Sequence, residues 1–154
     1  MKEGCVLNRG TRWLVAGLAG LCLPLGACTR HQEAHEAHHP VEVVRIEGSE
    51  INRITMTEQA LERIALKTDT VRERQMTRSK APRIVIPHSS LIYDPKGQTW
   101  VYTSPEPGTF VKQKVDVEYV EDDLAVLMEG PPVGTVVVST AAAEVYGADS
   151  GVGH

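Results

Sequence analysis

Apolar and polar residues alternate most clearly in the second half of the chain. From Val111 to Tyr119, valine and other large side chains occupy every second position, and charged side chains lie between them. A period of two residues is typical of a β-strand with one buried face. The pattern therefore predicts that Val115 and Val117 lie in the core and that Asp116 lies on the surface.

Further short apolar runs are separated by turn residues. The turn Asp94-Pro95-Lys96-Gly97, for example, has proline at its second position and glycine at its fourth, as β-turns prefer. The runs occupy residues 41–46, 84–86, 99–103, 124–128 and 135–139, and the weakly patterned residues 67–74 predict an edge strand. Strands at this spacing predict a mainly β fold, a small antiparallel β-sandwich or barrel-like domain.

One short helix interrupts this pattern near residues 57–64. Leu61, Ile64 and Ala65 follow the i, i+3, i+4 spacing of an apolar helix face. Thr55 and Glu58 have the spacing of a capping box at the helix start. At the other end of the chain, residues 147–154 are small and polar, and we expect them to form a flexible tail.

The N-terminal residues have the pattern of an export signal. Basic residues precede an uncharged, mostly apolar stretch from Trp13 to Leu25. This stretch is shorter than the roughly 20 residues that a membrane-spanning helix needs. It ends in Leu25-Gly26-Ala27-Cys28, which resembles the lipobox of bacterial lipoproteins. The resemblance implies a signal peptide over residues 1–27 and a lipid on the thiol of Cys28; the alternative is an ordinary secretory signal that contains a cysteine by chance.

Lipidation would leave no free thiol in the processed chain. The sequence contains only Cys5, Cys22 and Cys28, and the first two leave with the signal peptide. A disulfide, a cysteine nucleophile and a thiolate metal site are then excluded. Export and lipidation together predict a periplasmic protein anchored to a cell membrane, and the sequence leaves open whether this is the inner or the outer membrane.

Residues 28–40 form a histidine-rich tether between the lipid and the predicted β domain of residues 41–146. Four of the six histidines of the chain lie here, at His31, His35, His38 and His39. Neutral imidazoles suit copper, zinc and nickel, so the tether is a candidate metal site. The alternative is a solvated linker, since short polar segments near a terminus are usually disordered. No cofactor is otherwise required.

Composition and motifs favour an interaction protein over an enzyme. The 154 residues include 16 basic and 20 acidic side chains, for a net charge of −4, which argues against nucleic-acid binding. No phosphate-binding glycine loop and no H-E-x-x-H motif occur. His88-Ser89-Ser90 places an imidazole beside two hydroxyls, but neighbours in a strand point to opposite faces. We therefore expect no enzymatic activity.

Several segments follow one another as they do in a known family. The stretches IPHSSLIY at residues 86–93 and GQTWVY at residues 97–102 resemble the membrane-proximal domain of periplasmic adaptor subunits of tripartite efflux pumps, also called membrane fusion proteins. The segments that resemble neighbouring parts of that family are residues 54–60, 64–68, 110–117, 127–138 and 142–146. Pro131 stands where the family usually has leucine.

One difference from that family changes the expected function. Full adaptors insert a lipoyl-like domain and usually an α-helical hairpin, where this chain has only residues 75–82. The resemblance implies a shortened, lipid-anchored adaptor that associates with an inner-membrane efflux transporter but lacks the hairpin that reaches an outer-membrane channel. The alternative function is a periplasmic metal-binding lipoprotein that uses the tether. Self-association of the chain is left open.

Overall fold

The computed structural model describes residues 39–151 of the chain. The predicted signal peptide, most of the predicted tether and the last three residues of the predicted tail lie outside this range. The strands within it are β1 (Val41–Arg45), β2 (Asn52–Met56), β3 (Lys67–Thr70), β4 (Arg72–Arg74), β5 (Arg83–Pro87), β6 (Ile92–Tyr93), β7 (Thr99–Glu106), β8 (Thr109–Glu121), β9 (Leu124–Glu129) and β10 (Val136–Thr140). The helices are α1 (Glu58–Arg63), α2 (Ala142–Asp149) and a 3-10 turn at His88–Ser90.

All of the strands belong to one curled antiparallel sheet. Its main path runs in the order β3, β10, β7, β8, β9, β5, β4, while β1 and β2 join through β8 and β6 joins through β7. Strands account for 50% of the structure and helices for 15%, and the sheet curls into a half-barrel. The predicted mainly β, barrel-like fold is therefore confirmed.

The curl of the sheet depends on a crossing at Val71. The strands β3 and β4 are separated by this residue alone, yet they occupy the two ends of the main path. Val71 is fully buried; its N–H donates to the carbonyl of Thr135 at 2.8 Å, and its carbonyl accepts from the N–H of Gly134 at 2.8 Å. One residue thus brings the two ends of the sheet together.

The middle parts of β7 and β10 are buried on both faces. Val101 and Tyr102 are consecutive residues, and both are fully buried, but they belong to different core clusters. Val137 and Val138 divide between the same two clusters. Because successive side chains point to opposite faces of a strand, one cluster lies on each face of the sheet. At these positions the two strands therefore have consecutive apolar residues instead of an alternating pattern.

The long strand β8 connects the two halves of the sheet. Its first residues pair with β2 and β7, and its second half pairs with β9. Its pairing with β9 is irregular on both sides of Val117. Val115 is buried at 4% exposure and Asp116 is exposed, as the alternation predicts, but Val117 is only half-buried. Val117 packs against the same core cluster as Val115, as predicted, but it is not fully buried, and the pairing with β9 is irregular at this residue.

The first helix lies where the sequence predicts it but begins differently. Thr57 is the N-cap residue, and its hydroxyl accepts a hydrogen bond from the N–H of Ala60 at 3.3 Å. The predicted capping box with Thr55 is therefore wrong, since that residue belongs to β2. Leu61 and Ile64 pack against the core as predicted, whereas Ala65 is exposed with φ of 50° and ends the helix.

A second helix occupies a segment for which the sequence predicts none. The helix α2 includes Gly147, Ala148 and Asp149, which belong to the predicted flexible tail. For these three residues the prediction is wrong. Ala142 and Val145 of this helix are buried in the core cluster that also contains Phe110. The helix thus covers one face of the sheet.

We predict that truncation to alanine destabilises the domain at Val115 of β8 and has little effect at the neighbouring Asp116. Val115→Ala removes two methyl groups from a buried site and should lower the free energy of unfolding by about 1–3 kcal/mol. Val117→Ala should cost less because its side chain is half-buried. Asp116→Ala serves as the exposed control and should cost under about 0.5 kcal/mol. Equal losses at residues 115 and 116 in urea denaturation would contradict the assigned faces.

Candidate functional site

Most of the predicted site residues lie outside the described part of the chain. Cys28, His31, His35 and His38 precede residue 39. His39 is described, is exposed and stands two residues before β1. The lipid site and the four-histidine site therefore stay predictions.

A groove lies beside His39 on the first two strands. It has a volume of about 630 Å³ and is lined by His39 and by residues 41–43 and 55–57. The N–H of Thr57 donates to the carbonyl of Pro40 at 3.0 Å and fixes the chain at the mouth of the groove. Within residues 39–151, no three His, Cys, Asp or Glu side chains are grouped to hold a metal ion. The groove is lined by one histidine, His39, and one carboxylate, Glu42.

A buried carboxylate holds α2 against the sheet. The side chain of Asp149 is 3% exposed and receives hydrogen bonds from three strands. Tyr102 Oη donates at 2.7 Å, Asn52 Nδ2 donates at 2.8 Å, and Lys112 Nζ lies at 3.1 Å. Burial and the neighbouring carboxylate raise the pKa of Tyr102 far above its ordinary value, so its hydroxyl stays protonated and keeps donating.

Aromatic rings enclose the lysine of this cluster. Lys112 Nζ lies 5.1 Å from the ring centre of Trp100 and 5.8 Å from that of Tyr146. Both distances fall in the range of cation–π attraction. The cation is thus neutralised by Asp149 and covered by two rings. We interpret the cluster as a clasp for the C-terminal helix.

Sequence reasoning missed this clasp because its parts are far apart. Asn52 and Asp149 are separated by 97 residues, and no local pattern connects them. One signal was present: residues 142–149 contain three alanines, and alanine has the highest helix propensity. That composition indicates a helix, although it does not indicate which side chain of the helix is buried.

The residues around His88 do not form a catalytic pair. Ser89 Oγ donates to the carbonyl of Ser139 at 2.7 Å, while Ser90 is fully buried and its hydroxyl has no partner in the described part of the chain. The backbone N–H of His88 donates to the carbonyl of Asp123 at 2.8 Å. These contacts fix a corner between β5 and β6, as the proline before His88 suggests.

The short connection at residues 75–82 is packed onto the domain. Met76 is buried with Val85, Leu124 and Val126 in a small apolar cluster. Glu121 Oε1 accepts a hydrogen bond from the N–H of Thr77 at 2.8 Å. The connection is therefore held by a buried methionine of its own and by a carboxylate of β8.

Arg78 of the connection also contacts β8. Its guanidinium carbon lies 5.3 Å from the ring centre of Tyr119, and its Nε lies 4.0 Å from Glu121 Oε2. The hydrogen bond from the Thr77 amide is the main reason that the pKa of Glu121 is lowered; burial opposes the shift, and Arg78 adds to it. The ionised form of Glu121 is thus the form that holds the connection.

Comparison with known proteins adds no relative. No family model, no curated protein and no solved structure matches this chain. In the part of the chain that the structure describes, no helix is long and apolar enough to cross a membrane. The resemblance to periplasmic adaptors therefore stays a prediction.

We predict that the clasp stabilises the whole domain. Asp149→Ala leaves Lys112 without its counter-ion and Tyr102 without its acceptor, and the loss of one partner of a buried pair is strongly destabilising. We expect a loss of about 2–4 kcal/mol in the free energy of unfolding. This is less than for a fully buried pair, because the lysine is 21% exposed. Glu144→Ala, at an exposed position of the same helix, should change it by less than about 0.5 kcal/mol. Losses of similar size in both variants would rule out the clasp.

We predict that Glu121 makes the packing of residues 75–82 sensitive to acid. Because the pKa of Glu121 is lower in the folded state, its stabilisation is complete above its unfolded pKa of about 4.3 and is lost as the pH falls through the lower folded value. Glu121→Gln should therefore be less stable than the wild type at pH 7, and the difference should shrink at pH 3. Denaturation at the two pH values measures this, with exposed Glu106→Gln as the control. A difference that does not change with pH would contradict the role of the charge.

Proposed function

We propose that this chain is a lipid-anchored, adaptor-like protein of the periplasm that associates with an inner-membrane efflux transporter and does not reach an outer-membrane channel. The packed connection at residues 75–82 is the observation that carries this proposal. Full adaptors carry their inserted domains at this point. Here Met76 is 5% exposed and Glu121 binds the backbone of Thr77, which supports a self-contained domain without an insertion.

The mainly β half-barrel agrees with what the family resemblance implies for the membrane-proximal domain. Its surface also carries large apolar side chains that a contact with another protein would bury. The most exposed of these are Val44 at 51%, Tyr93 at 59%, Met128 at 59% and Val133 at 51%. Scattered apolar residues are ordinary on protein surfaces, so they support an interaction protein without locating the transporter contact.

The predicted lipid would keep the domain close to a bilayer. Residues 29–40 separate Cys28 from β1, and a fully extended chain of this length spans about 40 Å. The domain would then remain within that distance of the membrane surface. A transporter in the same membrane is within such a reach, whereas a hairpin would be needed to extend much farther.

Crosslinking in native membranes tests this proposal. The tagged full-length protein is crosslinked in cells, purified and analysed by mass spectrometry. We expect an inner-membrane transporter as the main partner and an acylated Cys28 as the new N-terminus. The control joins residues 1–40 to an unrelated soluble domain and should capture no transporter. Capture of an outer-membrane channel instead, or of no transporter, would contradict the proposal.

The alternative, metal binding by the tether, has one supporting observation. His39 is exposed at the end of the tether and lies beside the groove that Glu42 also lines. If the four histidines bind copper, zinc or nickel, protons compete for the same nitrogens, with a reference pKa of about 6.5. Calorimetry should then show binding at pH 7.5 that weakens steeply by pH 5.5 and is lost when all four are changed to alanine. No heat of binding at pH 7.5 would leave the segment as a spacer.

A further inference from the structure

The outer edge of β1 has unused backbone groups. Two hydrogen bonds flank its pairing with β2: Thr57 N–H to the carbonyl of Pro40, and Ile46 N–H to the carbonyl of Ile51, each at 3.0 Å. Bonded and non-bonded positions alternate in an antiparallel ladder, so the even-numbered residues of β1 bond to β2. Val41, Val43 and Arg45 therefore direct their N–H and carbonyl groups away from β2, where no other strand of residues 39–151 pairs with them.

This edge differs from the other free edges of the described sheet. The strand β4 has three residues, all charged, and β6 has two. The strand β3 carries Lys67 and Asp69, and the latter is paired with Arg72. Charge and short length are the usual protections against edge-to-edge pairing. The strand β1 also carries two charges, Glu42 and Arg45, but it has five residues, contains no proline or lysine, and exposes Val43 at 41% and Val44 at 51% near its centre.

We propose that β1 pairs antiparallel with β1 of a second copy, in a two-fold dimer centred on Val43. A two-fold axis perpendicular to the sheet places residues of the same face opposite each other, so the paired residue numbers must have the same parity. Only the register centred on Val43 uses all five residues. It places Val43 opposite Val43, Val41 opposite Arg45, and Glu42 opposite Val44 of the second copy.

This register is self-complementary in hydrogen bonding and brings no like charges together. The outward groups of Val41, Val43 and Arg45 meet the outward groups of Arg45, Val43 and Val41 of the second copy. No like charges stand directly opposite, which would be destabilising. The four exposed valines at positions 43 and 44 lie at the centre of the pair. A second copy presents the same outward groups and the same exposed valines, so this register needs no other partner.

The membrane anchor would raise the fraction of this weak dimer. An interface of one five-residue strand per copy is well below the roughly 1,200 Å² of stable complexes, so we expect a weak dimer in solution. The tether enters β1 directly, and copies held at one membrane surface have a raised effective concentration. This last step rests on the lipid anchor of the proposed function, whereas the pairing geometry does not.

Two lysine substitutions at neighbouring exposed valines test the register. Val43→Lys places two lysines directly opposite each other across the two-fold axis and should weaken the dimer roughly tenfold or more. Val44→Lys places each lysine opposite Glu42 of the second copy and should leave the dimer as strong as the wild type or stronger. Both substitutions add one charge at a similarly exposed site, so each is the control for the other. Thermal melting of both variants verifies the fold.

The dimer fraction is measured in two settings. In the first, the processed protein is labelled at its C-terminus and reconstituted in liposomes, and single-molecule photobleaching counts the copies in each complex. In the second, sedimentation of the same proteins in detergent at high concentration gives the fraction of dimer. The expected order is wild type and Val44→Lys above Val43→Lys in both. A chain that does not enter liposomes would refute the anchor, while sedimentation would still test the pairing. A monomer in both settings, or an equal effect of both lysines, would overturn the dimer.

Discussion

The backbone crossing at Val71 is the constraint on which the rest of the structure depends. At this point the chain leaves one end of the sheet, at β3, and enters the other end, at β4. The amide and the carbonyl of this buried residue are both bonded to the segment that contains Gly134 and Thr135. A buried peptide group without partners would be costly, so the crossing and the segment opposite it stabilise each other. The half-barrel, and with it the two-faced core, follows from this join.

The position of the crossing also explains why the connection at residues 75–82 is short. Once β4 is held beside β5, the chain needs only a short turn between them, and Met76 fills the space beneath that turn. The connection is thus packed onto the domain by its own buried methionine. The proposal of an adaptor-like protein that acts near one membrane rests on this packing, because full adaptors carry their inserted domains at this point.

The sequence was sufficient for local features and insufficient for features that depend on distant partners. The burial of Val115 and the start of the strand at Val41 follow from local patterns, and both are confirmed. The half-buried state of Val117 depends on irregular pairing with β9. The burial of Asp149 at the end of α2 could not be predicted, because its donors come from three distant strands. A polar residue near a chain end gives no local indication of such burial, and Cys28 and the remaining histidines of the tether lie outside the described residues.

Native-state hydrogen exchange at two amides tests the central structural claim most directly. The N–H groups of Val71 and Gly134 form the two bonds of the crossing. If this join holds the half-barrel together, both amides should exchange only through global unfolding, with the same free energy and the same denaturant dependence as the domain. Exchange of either amide through a local opening, at a much lower free energy than the amides of β7 and β8, would show that the two ends of the sheet separate on their own and would contradict a self-contained domain.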